Sequence, residues 1–176
     1  VDKISDHEIQ NKEINLKKEL NLLPNYKIVG LIGNYKPWKD HKLMFKSINE
    51  IIKKNKNVYF LLIGRDVNKY NLNIINDENY VKNIQNIRLL GFIEHKHILE
   101  YINLFDIYCS TSTNEGFWNT LLEALSLNKV CICSDVGDAK EILTSLDTVY
   151  QAGDYNKLSN LILECLQNNN YYEKKF

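Results

Sequence analysis

The chain is 176 residues long, 44% hydrophobic and 11% aromatic, which suits one domain with a substantial core and is too short for two of ordinary size. Basic and acidic residues balance at 22 each, so the net charge is zero and no overall field draws the chain to nucleic acid or to an anionic membrane. No apolar run approaches the roughly 18 residues needed to cross a bilayer, and residues 1–10 lack the apolar centre of a signal peptide; a soluble, cytoplasmic domain is expected.

Ser5-Asp6-His7-Glu8 has the pattern of a capping box, and Ile9, Ile14, Leu16, Leu20 and Leu23 follow at loosely helical spacing until Pro24, where the leading helix is expected to stop. Residues 27–33 then read as a buried strand. Met44, Ile48, Ile51 and Ile52 recur at helical spacing and predict a helix over about 40–54. Residues 58–63 read as strand, and the Asn- and Tyr-rich stretch 68–86 as a loop carrying a poorly formed helix. Strands at 87–90, 107–109, 130–133 and 148–150 alternate with helices at 97–104, 119–127 and about 139–143. Leu158, Leu161, Ile162, Cys165 and Leu166 mark a closing amphipathic helix, and the polar tail 168–176 is expected to fray. Short apolar strands alternating with helices specify a parallel sheet covered on both faces, a doubly wound, Rossmann-like α/β domain.

Cys131 and Cys133 stand two apart in an apolar strand and so share one face; with no second such pair to complete a zinc site, they read as buried thiols, as do Cys109 and Cys165. His41, His95 and His97 could suggest a metal, but His95 and His97 lie at the start of an expected helix with no clear carboxylate partner, so no metal is expected.

In an open parallel sheet, ligands bind beyond the C-terminal ends of the strands, which directs attention to the loops at 33–40, 64–67, 91–94, 110–118 and 134–138. The first carries Lys36 and Lys39 just ahead of a helix, with Gly33 allowing close approach of the backbone; lysine suits a phosphate, although this loop alone reads more readily as a solvated turn with Trp38 on the surface. Neither a Gly-x-Gly-x-x-Gly fingerprint nor a Gly-Lys-Ser/Thr phosphate loop occurs, which argues against nicotinamide and P-loop chemistry.

The segment Asn114-Glu115-Gly116-Phe117-Trp118-Asn119-Thr120-Leu121-Leu122-Glu123-Ala124 carries more information. It sets one carboxylate in a loop and a second about one turn inside the following helix, both beside free backbone amides. Such a corner suits a nucleotide whose diphosphate meets the helix N-terminus while its hydroxyl groups meet carboxylates. Taken singly, either glutamate also reads as a surface carboxylate stabilised by the helix dipole. Asp135-Val136-Gly137-Asp138 reads equally as a plain capped turn and as a turn against a ligand.

Glu115-Gly116-Phe117, Asn119 and Leu121-Leu122-Glu123-Ala124 resemble the glutamate pair, with seven residues between its members, of the family 4 glycosyltransferases of the GT-B fold. In the same order come residues 33–41, Gly64-Arg65-Asp66, Leu90-Gly91-Phe92, Asp106-Ile107, Asp135-Val136-Gly137 with Glu141-Ile142, and Ala152-Gly153-Asp154, so the resemblance covers roughly residues 26–166. It implies the C-terminal, donor-binding half of such an enzyme, taking a UDP- or GDP-sugar, needing no cofactor or metal, and retaining anomeric configuration during hexosyl transfer to a glycan or lipid-linked acceptor in polysaccharide synthesis.

The same resemblance implies roles for individual residues. Glu115 faces the transferred sugar as the catalytic carboxylate, Glu123 binds the ribose, and Lys39 holds the diphosphate with Gly33, Asn34, Lys36 and the backbone of Phe117, Trp118, Asn119 and Thr120. Arg65, Gly91, Phe92 and Ile93 frame the base. Two departures stand out. Asn34 occupies a position where the family commonly has arginine, and Lys36, two residues on, is expected to supply the missing charge. Trp118 replaces a small residue or proline and is expected to narrow the sugar pocket. The resemblance further implies an acceptor-binding N-terminal domain beyond this sequence, residues 1–24 as the connector to it, residues 25–168 as the donor domain, 169–176 as a tail, and a closing helix packed toward the other half. It leads to the expectation that this half alone binds donor weakly and transfers nothing, and that the parent enzyme lies at the inner face of a membrane. A non-catalytic nucleotide-sugar binding module and half of a sugar-nucleotide 2-epimerase are the alternatives.

Overall fold

The computed structural model describes residues 6–143 and 148–167, with side chains from Gln10 onward. The capping box at Ser5–Glu8 and the tail beyond residue 167 therefore lie outside what is described. Six strands form one parallel sheet in the order β3-β2-β1-β4-β5-β6: β1 (Lys27–Ile32), β2 (Val58–Ile63), β3 (Ile87–Gly91), β4 (Ile107–Ser110), β5 (Val130–Ser134) and β6 (Val149–Tyr150). This is the doubly wound topology expected from the alternation of apolar runs.

Successive strand residues point to opposite faces, and the packing follows that period of two. Val29, Leu31, Phe60, Leu62 and Cys109 meet α2 (His41–Lys54) and α8 (Tyr155–Gln167) on one face. Ile28, Leu61, Ile63, Tyr108, Cys131 and Cys133 meet α5 (His95–Leu104), α6 (Asn119–Ser126) and α7 (Ala139–Ile142) on the other, with Leu16 and Leu20 from α1 (Asp6–Glu19) and its end against them. Central β2 is buried along all six residues, as a strand covered on both sides must be. Cys131 and Cys133 do share a face, Cys109 takes the opposite one, and loss of hydration on burial raises the pKa of all three, keeping them as thiols. Among the described residues, no helix is long and apolar enough to cross a membrane.

Three local expectations change, the first two through caps. The leading helix ends at Glu19, well before Pro24: Asn21 turns left-handed at φ 52°, its N–H reaches Lys18 O at 3.0 Å, and the N–H of Leu22 reaches Lys17 O at 2.9 Å. That pair of bonds satisfies the last carbonyls of the helix and closes it. Stretch 68–86 is more ordered than its weak periodicity predicts, with α3 (Leu72–Ile75) capped by Asn71, α4 (Glu78–Lys82) capped by Asp77, and a 3-10 turn at Ile84–Asn86. Ile74 and Tyr80 anchor it in the core, and the Asn86 amide donates to Lys56 O and Val58 O at 3.1 and 2.8 Å. Finally, α5 begins at His95, behind an extended Glu94, two residues earlier than expected.

The apolar face of α8 packs within this domain: Leu158, Leu161 and Ile162 are buried, and Ser159 Oγ reaches Ser47 O of α2 at 3.4 Å. Two glycines let the backbone of the sheet close up. A Cβ on Gly30 would lie 2.1 Å from the Phe105 ring, and one on Gly64 would lie 2.1 Å from Gly33 O.

Candidate functional site

Strand order reverses at β1, which has β2 on one side and β4 on the other, so the loops that leave β1 and β4 flank the topological switch point of the sheet. The β1 loop runs through a 3-10 turn, Pro37–Lys39, into Asp40, whose left-handed backbone (φ 42°) turns the chain and whose carboxylate accepts the N–H of Leu43 at 3.1 Å as the cap of α2. The β4 loop is tied to it. The N–H of Thr113 donates to Trp38 O and Thr111 Oγ1 to Lys39 O, both at 2.7 Å.

Across this seam Lys39 Nζ pairs with Glu115 Oε1. Their side chains are only 22% and 12% exposed, so water screens the pair poorly. Ser112 Oγ donates to the same carboxylate oxygen at 2.6 Å. The stem of Lys39 lies over Gly33, where a Cβ would meet Lys39 Cδ at 3.2 Å; the glycine makes room for the lysine. His41, 2% exposed, starts α2 directly below and lies beside Tyr35, ring centroids 5.1 Å apart. It faces the Gly33 backbone, yet neither ring nitrogen reaches hydrogen-bond geometry. Loss of hydration, with the Lys39 charge adding to it and Gly33 opposing, lowers its pKa to about 4, so the ring is neutral at physiological pH.

Asn34 takes up a structural task. Its Oδ1 accepts the N–H of Arg65 at 2.9 Å while the N–H of Tyr35 donates to Arg65 O at 2.8 Å, joining the β1 and β2 loops. Lys36 is exposed at the start of the 3-10 turn. Arg65 sits over the exposed ring of Phe92, 4.9 Å from its centroid, and Gly91 makes the turn into that loop at φ 69°.

A cavity of about 500 Å³ opens beside α6. Asn119, Thr120 and Glu123 line one side of it; Phe92, Ile93 and His95 line the other. Trp118 at the N-cap of α6 offers no side-chain acceptor to the helix, so the first-turn amides lack a side-chain partner and the positive end of the helix dipole is unopposed there. Glu123 Oε1 lies 3.5 Å from His95 Nε2. Trp118 itself turns into the core, 4% exposed, and is not among the residues lining this cavity. Its Nε1 has no partner among the described residues and lies 3.4 Å from where a Cβ on Gly137 would be; that glycine is left-handed at φ 51° and sits against Glu115 O. Phe117 is 68% exposed.

Lys39, Glu115 and Gly33 thus meet at one point on the carboxyl edge of the sheet, and Asn119, Thr120, Glu123, Phe92 and Ile93 meet at the cavity. Sequence reasoning missed Ser112, although it stands three residues before Glu115. It also found no carboxylate partner for the histidines, whereas His95 has Glu123 and His97 has Glu100, each at 3.5 Å. Among the described residues, no three histidine, cysteine, aspartate or glutamate side chains gather closely enough to hold a metal ion.

The family model for glycosyl transferases group 1 matches residues 12–175. The O-antigen biosynthesis glycosyltransferase WclY of Escherichia coli is 23% identical over 168 residues, which make up 96% of this chain and 45% of that protein. The GPI3 subunit of phosphatidylinositol N-acetylglucosaminyltransferase from Saccharomyces cerevisiae is 25% identical over 123 residues, 70% of this chain and 27% of the subunit. Among solved structures, Anabaena HepE in complex with UDP has the same fold, with a TM-score of 0.77 at 19% identity over 92% of this chain and 44% of that one. The chain spans less than half the length of each of these proteins.

Proposed function

The chain belongs to the group 1 glycosyl transferases, and from that premise we propose that it is the half of a GT-B enzyme that binds a nucleotide-sugar donor for hexosyl transfer. One observation carries the reading: the Lys39–Glu115 pair joins the β1 and β4 loops at the switch point of the sheet, where a doubly wound fold takes its ligand. The uncapped end of α6 and the carboxylate of Glu123 lie along the same edge.

On this reading the diphosphate lies between Lys39 and the first-turn amides of α6. As the sugar leaves, negative charge grows on the diphosphate, and fixed donors already aimed at it stabilise that charge without reorganising. Lys36 adds a second, exposed cation. Glu123 accepts hydrogen bonds from the ribose, and Phe92, Ile93 and Arg65 frame the base. Glu115 faces the hydroxyl groups of the sugar. Transfer retains anomeric configuration, protein groups alone offset the diphosphate charge, and the acceptor is a glycan or lipid-linked glycan met at the cytoplasmic face of a membrane. HepE, a structural neighbour, is solved with UDP, and WclY is named for O-antigen biosynthesis; both support this direction. The acceptor belongs to another domain, so this chain by itself binds donor and turns nothing over.

Calorimetry with UDP- and GDP-sugars tests the donor half of the proposal, with binding to one series expected. Turnover by the chain alone would contradict the division of labour.

A further inference from the structure

Glu115 stands in the irregular loop between β4 and α6, with its side chain only 12% exposed. Two contacts fix its carboxylate, and both fall on Oε1: Lys39 Nζ and Ser112 Oγ. Oε2 takes neither. We propose that Ser112 is a positioning residue that holds Glu115 Oε1 and so presents Oε2 to the transferred sugar; this rests on the donor-binding reading above.

The two contacts are not equivalent. Lys39 is the proposed diphosphate ligand and is drawn toward the donor when it arrives. Ser112 is 1% exposed and turned away from solvent, so its hold on Glu115 persists with donor in place. A carboxylate only accepts, so the single hydroxyl proton of Ser112 goes to Glu115; its oxygen then accepts from Ser110 Oγ at 3.1 Å. The serine is braced from two further strands. Ser134 Oγ of β5 donates to Ser112 O at 2.5 Å, and Tyr150 OH of β6 donates to Ser110 O at 2.9 Å. Three neighbouring strands therefore fix the donor that fixes Glu115, the kind of support that keeps a catalytic group in one geometry.

The test compares affinities for a nucleotide sugar and for the matching free diphosphate, using whichever of UDP-glucose and GDP-mannose binds the unmodified chain. Ser112→Ala is expected to weaken the sugar nucleotide about tenfold and leave the free diphosphate unchanged, because only the sugar meets Glu115. Binding of the free diphosphate also reports that the variant is folded. Ser112→Thr, which keeps the hydroxyl, is expected to restore affinity, and in a Glu115→Ala background, which has no side-chain oxygen to accept the hydroxyl, Ser112→Ala is expected to cost little more. Equal losses for both ligands, no loss for either, or full additivity with Glu115→Ala would overturn the positioning role while leaving donor binding intact. An unmodified chain that binds neither sugar nucleotide overturns the donor-binding reading itself, and this proposal with it.

Discussion

Lys39 and Glu115, 76 residues apart in the chain, meet as a shielded ion pair across the seam between the β1 and β4 loops. They meet because β1 and β4 are adjacent in the sheet although β2 and β3 intervene in sequence. The pair keeps the Lys39 ammonium at the carboxyl edge of the sheet, and on the proposed reading a diphosphate competes with Glu115 for it.

Removing that cation is the first test. Lys39→Ala is expected to weaken free UDP or GDP by about 1.5–3 kcal/mol, the worth of hydrogen bonds to charged groups. Lys36→Ala, exposed and therefore screened, is expected to cost no more than about 1 kcal/mol. Calorimetry on both variants checks this, and an unchanged affinity in Lys36→Ala removes Lys36 from the site.

Ribose recognition by Glu123 predicts discrimination against a deoxyribose. The chain is expected to bind UDP about tenfold more tightly than its 2′-deoxy counterpart, and Glu123→Ala is expected to abolish the difference. A preference that survives the substitution places the ribose elsewhere.

Close backbone approach at Gly64 predicts a cost in stability. A Cβ there would meet Gly33 O at 2.1 Å and the N of Asn34 at 2.8 Å, backbone atoms that no rotamer change can move. Gly64→Ala is expected to lose roughly 3 kcal/mol or more, read as a lower urea midpoint at an unchanged slope. A variant as stable as the parent would mean that the two loops are not joined as described.

His41 predicts an acid limb. Its folded pKa, about 4, lies below the ordinary histidine value because burial disfavours the charged ring. As pH falls below that ordinary value, the unfolded chain takes the proton before the folded one does, so stability is present at neutral pH and drains away on descent toward pH 4. The loss amounts to about 3 kcal/mol for this one group. His41→Phe keeps a ring beside Tyr35 and removes two unpartnered nitrogens; its stability is expected to be flatter over the same interval. Denaturation at several pH values decides it.

The regular elements were readable because burial on two faces leaves a plain pattern: β2 falls on residues 58–63 as read, and α2 ends at Lys54 as its periodicity predicts. Glutamates 115 and 123 and Lys39 were assigned from their sequence to the edge on which they lie. What escaped depends on single hydrogen bonds. Asn21, Asn71 and Asp77 end or begin helices through local caps that weak periodicity conceals. The inward turn of Trp118 brings its Nε1 beside Gly137, 19 residues away, and the partnership of His95 with Glu123 needs α5 and α6 side by side. Ser112 escaped because an irregular loop has no period from which a side chain's direction can be read.

Two-dimensional NMR of the chain, titrated to millimolar UDP- and GDP-sugars, tests the central claim most directly because it reports where even a weak ligand sits. The account predicts saturable shifts of the backbone amides of Gly33, Asn119 and Thr120, lost in a Lys39→Ala, Glu123→Ala double variant. Shifts confined to the opposite edge of the sheet, or none for any sugar nucleotide, would contradict it.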